Sequence, residues 1–88
     1  MGSPKPRVYT LPACGRCDVL KGWLVGRGVE YEERPFAGDA QVDLIMRNVF
    51  GSPPVLEVGP RAVPAEELFV DDVLVEDRVR EVLASEEG

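Results

Sequence analysis

The chain has two cysteines, Cys14 and Cys17, and they are separated by only Gly15 and Arg16. A short strand-like run, Arg7-Val8-Tyr9-Thr10, precedes the pair, and an amphipathic helical pattern follows it. This order predicts that both cysteines lie at a strand-to-helix turn. A helix N-terminus carries a partial positive charge that stabilises the thiolate, which is the nucleophilic form of cysteine. The position of the pair therefore indicates a reactive dithiol that performs thiol–disulfide exchange.

Composition limits the other functions that the chain could have. The 88 residues carry 16 acidic and 10 basic side chains, a net charge of −6 that disfavours nucleic-acid or anionic-membrane binding as a main activity. We expect a cytoplasmic protein, because no apolar run reaches the length of a membrane span and the first six residues lack the apolar core of a secretory signal. Close cysteine pairs in a reducing compartment are more often catalytic or metal-binding than structural.

A metal site is the first alternative for the cysteine pair. The sequence contains no histidine, so Cys14 and Cys17 could form only half of a tetrahedral zinc site. The other ligands would have to be carboxylates or come from a second copy of the chain. We therefore expect neither a metal nor another cofactor.

The first half of the chain alternates between strand and helix patterns. Strands are predicted over residues 7–10 and 29–34, and a helix is predicted from Cys14 to about Arg27 between them. A second helix is predicted to begin near Gly38, with Asp39 as its N-cap. Its apolar residues recur at helical spacing: Val42, Ile45, Met46 and Val49.

The second half begins with Ser52-Pro53-Pro54, which leads into a β-branched strand over residues 55–58. A turn at Gly59-Pro60 and a short strand over residues 61–63 follow. Residues 65–73 fit either a helix or a sheet edge. The chain then closes with an amphipathic helix marked by four apolar residues, Val75, Val79, Val82 and Leu83.

Two segments resemble glutaredoxins and the glutaredoxin-like redoxins of the thioredoxin superfamily. The first comprises residues 9–17 with Leu20-Lys21 and residues 28–33, and the second is Ser52-Pro53-Pro54-Val55-Leu56, so the resemblance covers about residues 7–58. It implies an α/β, thioredoxin-like (glutaredoxin-type) fold with a central mixed four-stranded sheet and about three helices. The expected domain spans residues 1–88, with a flexible N-terminus at 1–6 and a frayed tail at 85–88.

The resemblance also implies a role for each site residue. Cys14 is the attacking thiol and the more buried Cys17 resolves the mixed disulfide. Arg16 adds a positive charge that favours the Cys14 thiolate, whereas Asp18 opposes it. Substrate-binding residues are expected at four positions, of which the last is the cis-proline of the family: Pro12, Arg16, Pro53 and Pro54.

The chain departs from the family at two places. Pro53 precedes the cis-proline and has no N–H to donate to an extended substrate. Glutathione-using members carry a basic residue before the first cysteine and a glycine-rich acidic turn before the last helix, whereas this chain has Thr10-Leu11 and Val70-Asp71-Asp72. We expect a monomer that acts on disulfide-containing proteins or on small-molecule disulfides. Both departures favour a thioredoxin reductase-like enzyme or another protein as its reductant, with glutathione as the alternative. A second alternative is a non-catalytic redox-sensing or docking module with the same fold.

Overall fold

A mixed four-stranded sheet lies at the centre of the computed structural model, which describes residues 5–46, 51–59 and 61–84. Its strands are β1 (Arg7–Thr10), β2 (Glu32–Pro35), β3 (Val55–Val58) and β4 (Arg61–Val63), in the order β2-β1-β3-β4. β1 runs parallel to β2 and antiparallel to β3, and β3 runs antiparallel to β4. The predicted α/β architecture with a central mixed sheet is confirmed.

Four helices occur within these described ranges: α1 (Gly15–Gly26), α2 (Asp39–Met46), α3 (Ala65–Leu68) and α4 (Glu76–Ala84). The count exceeds the expected three because α3 is a single helical turn in the segment whose sequence fitted both helix and strand. Directly after that turn, β5 (Phe69–Val70) and β6 (Val73–Leu74) form a separate antiparallel hairpin. None of the helices in the described part of the chain has the length and apolar character needed to cross a membrane.

The second strand begins three residues later than the predicted 29–34. Gly28 has a φ of +70°, and the amide of Val29 donates back to the carbonyl of Leu24 at 2.9 Å, so these residues are used to end α1. Pairing with the first strand starts where the amide of Glu32 donates to the carbonyl of Pro6 at 2.8 Å. Pro6 thus contributes a carbonyl to this pairing, while residues 1–4 and 85–88 lie outside the described ranges.

Apolar side chains cover both faces of the sheet. The larger core joins the sheet to α1, α3, α4 and the hairpin, and it includes the Val79 and Val82 predicted for the last helix. Its fully buried members include Val8, Leu20, Leu24, Leu56, Val58, Leu68, Val79 and Val82. The smaller core lies on the other face and joins Tyr9 and Val55 to Leu44 of α2.

The orientation and start of α2 differ from the predicted ones. Leu44 is buried, whereas Val42, Ile45 and Met46 are 56%, 48% and 79% exposed. Among the described side chains of this short helix, only Leu44 belongs to the smaller core, so helical spacing alone did not identify the buried face. The carbonyl of Gly38 accepts from the amide of Val42 at 3.2 Å, which makes Gly38 the N-cap and leaves Asp39 in the first turn. The predicted continuation to Val49 lies outside the described residues.

One carboxylate is buried in the sheet. Glu57 on β3 accepts hydrogen bonds from the hydroxyl of Tyr9 at 3.1 Å and from the guanidinium of Arg7 at 3.5 Å. Burial, together with the adjacent negative charge of Glu57, raises the pKa of Tyr9 above its ordinary value. These contacts fix the polar end of β1 against β3, at the end of the sheet away from the cysteines.

Candidate functional site

Cys14 and Cys17 form a disulfide at the N-terminus of α1, with their Cα atoms 5.2 Å apart. Cys14 is the N-cap residue, with an extended backbone (φ −103°, ψ 107°), and α1 begins one residue after it. Its Sγ accepts a hydrogen bond from the amide of Cys17 at 3.1 Å, and its carbonyl accepts from the amide of Asp18 at 3.2 Å. The Cys14 sulfur is therefore held against the first amides of the helix, the position in which a thiolate gains the most stabilisation.

The two sulfurs differ in their access to solvent. Cys17 is 1% exposed and belongs to the interior, whereas Cys14 is only half-buried. The prediction that Cys17 is the more buried of the two is confirmed. A molecule approaching from solvent reaches Cys14 first.

The turn between β1 and α1 holds the predicted substrate residue Pro12. Pro12 is exposed, and the following Ala13 has a φ of +56°, a backbone conformation that reverses the chain toward the cysteines. Pro12 lines a cleft of about 400 Å³ that extends along α1 and β2 past Lys21 and Glu33. The cleft is open to solvent beside the disulfide turn.

Lys21 is the centre of an ion-pair group in that cleft. Its Nζ lies 3.1 Å from a carboxylate oxygen of Glu33 and 3.6 Å from one of Asp18. The hydroxyl of Thr10 also donates to Glu33, at 2.8 Å, and this bond, with that of Lys21, lowers the pKa of Glu33. The charge of Asp18, expected to oppose a thiolate at Cys14, is thus partly balanced by Lys21.

The Pro53–Pro54 peptide bond is cis, as predicted for the proline that precedes the third strand. The antiparallel register pairs Tyr9 with Val55, so Pro54 lies at the same end of the sheet as the cysteine turn. Pro54 is fully buried and Pro53 is half-buried. The fold therefore brings the two predicted proline positions to the end of the sheet that carries Cys14.

Glu66 holds this proline segment to α3 and was not identified from the sequence. Its carboxylate accepts the amide hydrogen of Ser52 at 2.8 Å, and the amide of Ala65 donates to the carbonyl of Ser52 at 3.0 Å. The bond from Ser52 is the main reason that the pKa of Glu66 lies below its usual value. Glu66 is separated from Ser52 by two strands, so no local pattern could have revealed the contact.

Arg16 makes a contact that the sequence did not predict. Its Nε lies 2.7 Å from Oδ1 of Asp72, and its guanidinium lies 5.9 Å from the ring centroid of Phe69. Asp72 is exposed and stands in the β5–β6 turn, facing the N-terminus of α1. A second cleft, of about 380 Å³, is lined by Gly15, Arg16, Val19 and Asp72.

The zinc alternative needs ligands beyond the two cysteines. Across residues 5–46, 51–59 and 61–84, no group of three or more cysteine, aspartate and glutamate side chains is arranged to hold a metal ion. In this state both sulfurs belong to the disulfide.

No protein-family model matches the chain, and neither a curated protein nor a solved structure is significantly similar to it.

Proposed function

We propose that this protein is a thiol–disulfide oxidoreductase, a glutaredoxin-like redoxin that reduces protein or small-molecule disulfides with the Cys14–Cys17 dithiol. One observation carries the proposal: the disulfide lies at a helix N-terminus with Cys14 accessible as the N-cap and Cys17 buried one turn further on. This is the asymmetry that a two-step exchange needs, because one sulfur must meet the substrate and the other must be kept for resolution.

The order of the elements supports a thioredoxin-like fold. The cysteine turn follows a central strand, a parallel strand is added by the β1-α1-β2 crossover, and a proline precedes the antiparallel pair β3–β4. The same succession of strand, cysteine pair, helix and proline-led strand carries the sequence resemblance to glutaredoxins. The hairpin β5–β6 and the turn α3 are additions between the sheet and α4.

The exchange proceeds in two balanced steps. The Cys14 thiolate attacks one sulfur of a substrate disulfide, forms a mixed disulfide with it and releases the other substrate sulfur as a thiolate. The Cys17 thiolate then attacks the Cys14 sulfur, forms the intramolecular disulfide and releases the second substrate thiolate. Two electrons pass from the dithiol to the substrate, and an external reductase restores both thiols.

We further propose a protein reductant, of the thioredoxin-reductase type, in a cytoplasmic setting. The positions before Cys14 are the uncharged Thr10 and Leu11, so the basic residue with which glutathione-using relatives meet the tripeptide is missing here. Asp71 and Asp72 stand at the tip of the neighbouring hairpin, where their negative charges disfavour an anionic thiol.

Turnover separates an enzyme from a redox-sensing or docking module. We expect the wild-type protein, with dithiothreitol as the electron donor, to accelerate the reduction of insulin disulfides. Cys14→Ser should abolish this acceleration, whereas Val42→Ala, on the exposed side of α2, should retain it. If the wild-type protein gives no acceleration but binds a partner in only one redox state, the docking-module alternative is correct.

A further inference from the structure

Arg16 stands between the two cysteines, yet its side chain turns toward the hairpin. The guanidinium makes a 2.7 Å contact with Asp72 and lies 5.9 Å from the centroid of the Phe69 ring, within cation–π range. Arg16 is the charged residue between the two cysteines. It forms an ion pair with Asp72, which is 56 residues away in the chain.

The hairpin holds that partner in a defined place. Phe69 pairs with Leu74 and Val70 with Val73, which leaves Asp71 and Asp72 as a two-residue turn. Both aspartates have positive φ, +50° and +64°, as the central residues of a tight hairpin turn do. Phe69 is buried in the main core. The hairpin is thus anchored to the core through Phe69, and its turn places Asp72 beside Arg16 of α1.

The other charged groups around Cys14 have partners of their own. Lys21 lies within ion-pair distance of Asp18 and Glu33, and Glu66 accepts the Ser52 amide while its charge also acts on Arg16. In the described part of the chain, charged groups near the cysteine turn include Arg16, Asp18 and Lys21 of α1, Glu33 and Arg34 of β2, Glu66 of α3, and Asp71 and Asp72 of the hairpin turn. Within this set Asp72 is the group in direct contact with Arg16.

We propose that Asp72 is a positioning residue of the redox site: by pairing with Arg16 it draws the guanidinium to the hairpin and reduces the stabilisation that Arg16 gives the Cys14 thiolate. The inference rests on the proposed function, since it concerns the thiol that performs the exchange. A thiolate that is less stabilised in the reduced state favours the disulfide state and so makes the dithiol a better electron donor. Asp72 therefore biases the site toward reduction of its substrates.

The neighbouring aspartate provides a matched control. Asp72→Asn and Asp71→Asn each remove one negative charge from the same turn, and asparagine tolerates the positive φ of both positions. The pKa of Cys14 is measured in the Cys17→Ser background from the pH dependence of iodoacetamide alkylation. Both variants should lower it. The decrease for Asp72→Asn should be larger by about 0.3–0.7 unit, roughly a two- to fivefold greater thiolate-to-thiol ratio, because it also frees Arg16.

A second pair of variants separates release of Arg16 from a structural effect of the turn. In an Arg16→Gln background the two asparagine variants should give equal shifts, and at 1 M salt, where the screening length is about 3 Å, the difference between them should shrink. Equal shifts in the presence of Arg16, or a difference that persists in Arg16→Gln, would overturn the proposal. The alkylation measurement needs no turnover. A protein that reduces no disulfide but shows these shifts would contradict the proposed function and leave the role of Asp72 standing.

Discussion

Gly51 is the residue at which the geometry beside the proline segment leaves least room. It has a φ of +152°, and a Cβ added there would lie 2.5 Å from Oε1 of Glu66 and 2.6 Å from Cβ of Pro64. The Glu66 carboxylate is the end of a flexible side chain and can move, at the cost of its hydrogen bond to Ser52. The buried ring of Pro64 cannot move without shifting the chain. We therefore expect Gly51→Ala to force a displacement of the segment that leads to Pro54.

The magnitude follows from two contributions. Overpacking against a rigid neighbour costs about 1–3 kcal/mol, and a side chain at positive φ costs about 1–2 kcal/mol. Together these lower the free energy of unfolding by roughly 2–5 kcal/mol, which in a domain of this size corresponds to a fall in Tm of roughly 8–40 °C.

Gly22→Ala is the matched control for this change. Gly22 lies within α1, and a Cβ there would meet nothing within 4 Å. Alanine should stabilise the helix by about 0.5–1 kcal/mol relative to glycine. Urea unfolding of the oxidised proteins, followed by circular dichroism, gives both free energies. A loss of less than about 1 kcal/mol in Gly51→Ala, or an equal loss of stability in the two alanine variants, would contradict the predicted clash with Pro64.

Three further outcomes are expected. Tyr9→Phe should lower the free energy of unfolding by about 0.5–1.5 kcal/mol, because its hydroxyl donates to the buried carboxylate of Glu57; an unchanged urea midpoint would contradict this. Because the pKa of Glu66 is lowered on folding, its carboxylate stabilises the protein at pH values above the ordinary pKa of 4.5. This stabilisation is lost as the pH falls through the pKa of Glu66 in the folded state. The stability gap between wild type and Glu66→Gln should therefore close on acidification, and a gap that widens in an unfolding series from pH 7 to about pH 3 would count against it. Iodoacetamide should label Cys14 of the reduced protein before Cys17, and peptide mass spectrometry showing equal rates would disprove the activation of Cys14.

Elements with a strong local pattern were predictable from the sequence. The β-branched run at residues 55–58 forms β3, and the apolar spacing of Val79 and Val82 places them in the core as expected. The order of the cysteine pair after a strand was enough to predict that Cys14 lies at a helix N-terminus, and the resemblance to glutaredoxins implied that Cys17 is the more buried. These features are determined by residues that lie close together in the chain.

Features that depend on distant partners were not predictable. The start of β2 is set by the hydrogen bond from Glu32 to Pro6 rather than by the alternation of residues 29–34. The buried side of α2 is set by where Leu44 meets the sheet. Similarly, the contact between Arg16 and Asp72 exists because a hairpin brings its turn over α1. A single sequence does not contain these distances.

Trapping of the mixed disulfide tests the roles of the two cysteines most directly. Reduced Cys17→Ser and reduced Cys14→Ser proteins are each mixed with a peptide disulfide, and the intact proteins are analysed by mass spectrometry after acid quenching. If Cys14 attacks and Cys17 resolves, Cys17→Ser should accumulate one peptide adduct on Cys14, whereas Cys14→Ser should accumulate none over the same time. Rapid adduct formation by Cys14→Ser, with none by Cys17→Ser, would show that the assignment of attacking and resolving thiols is wrong.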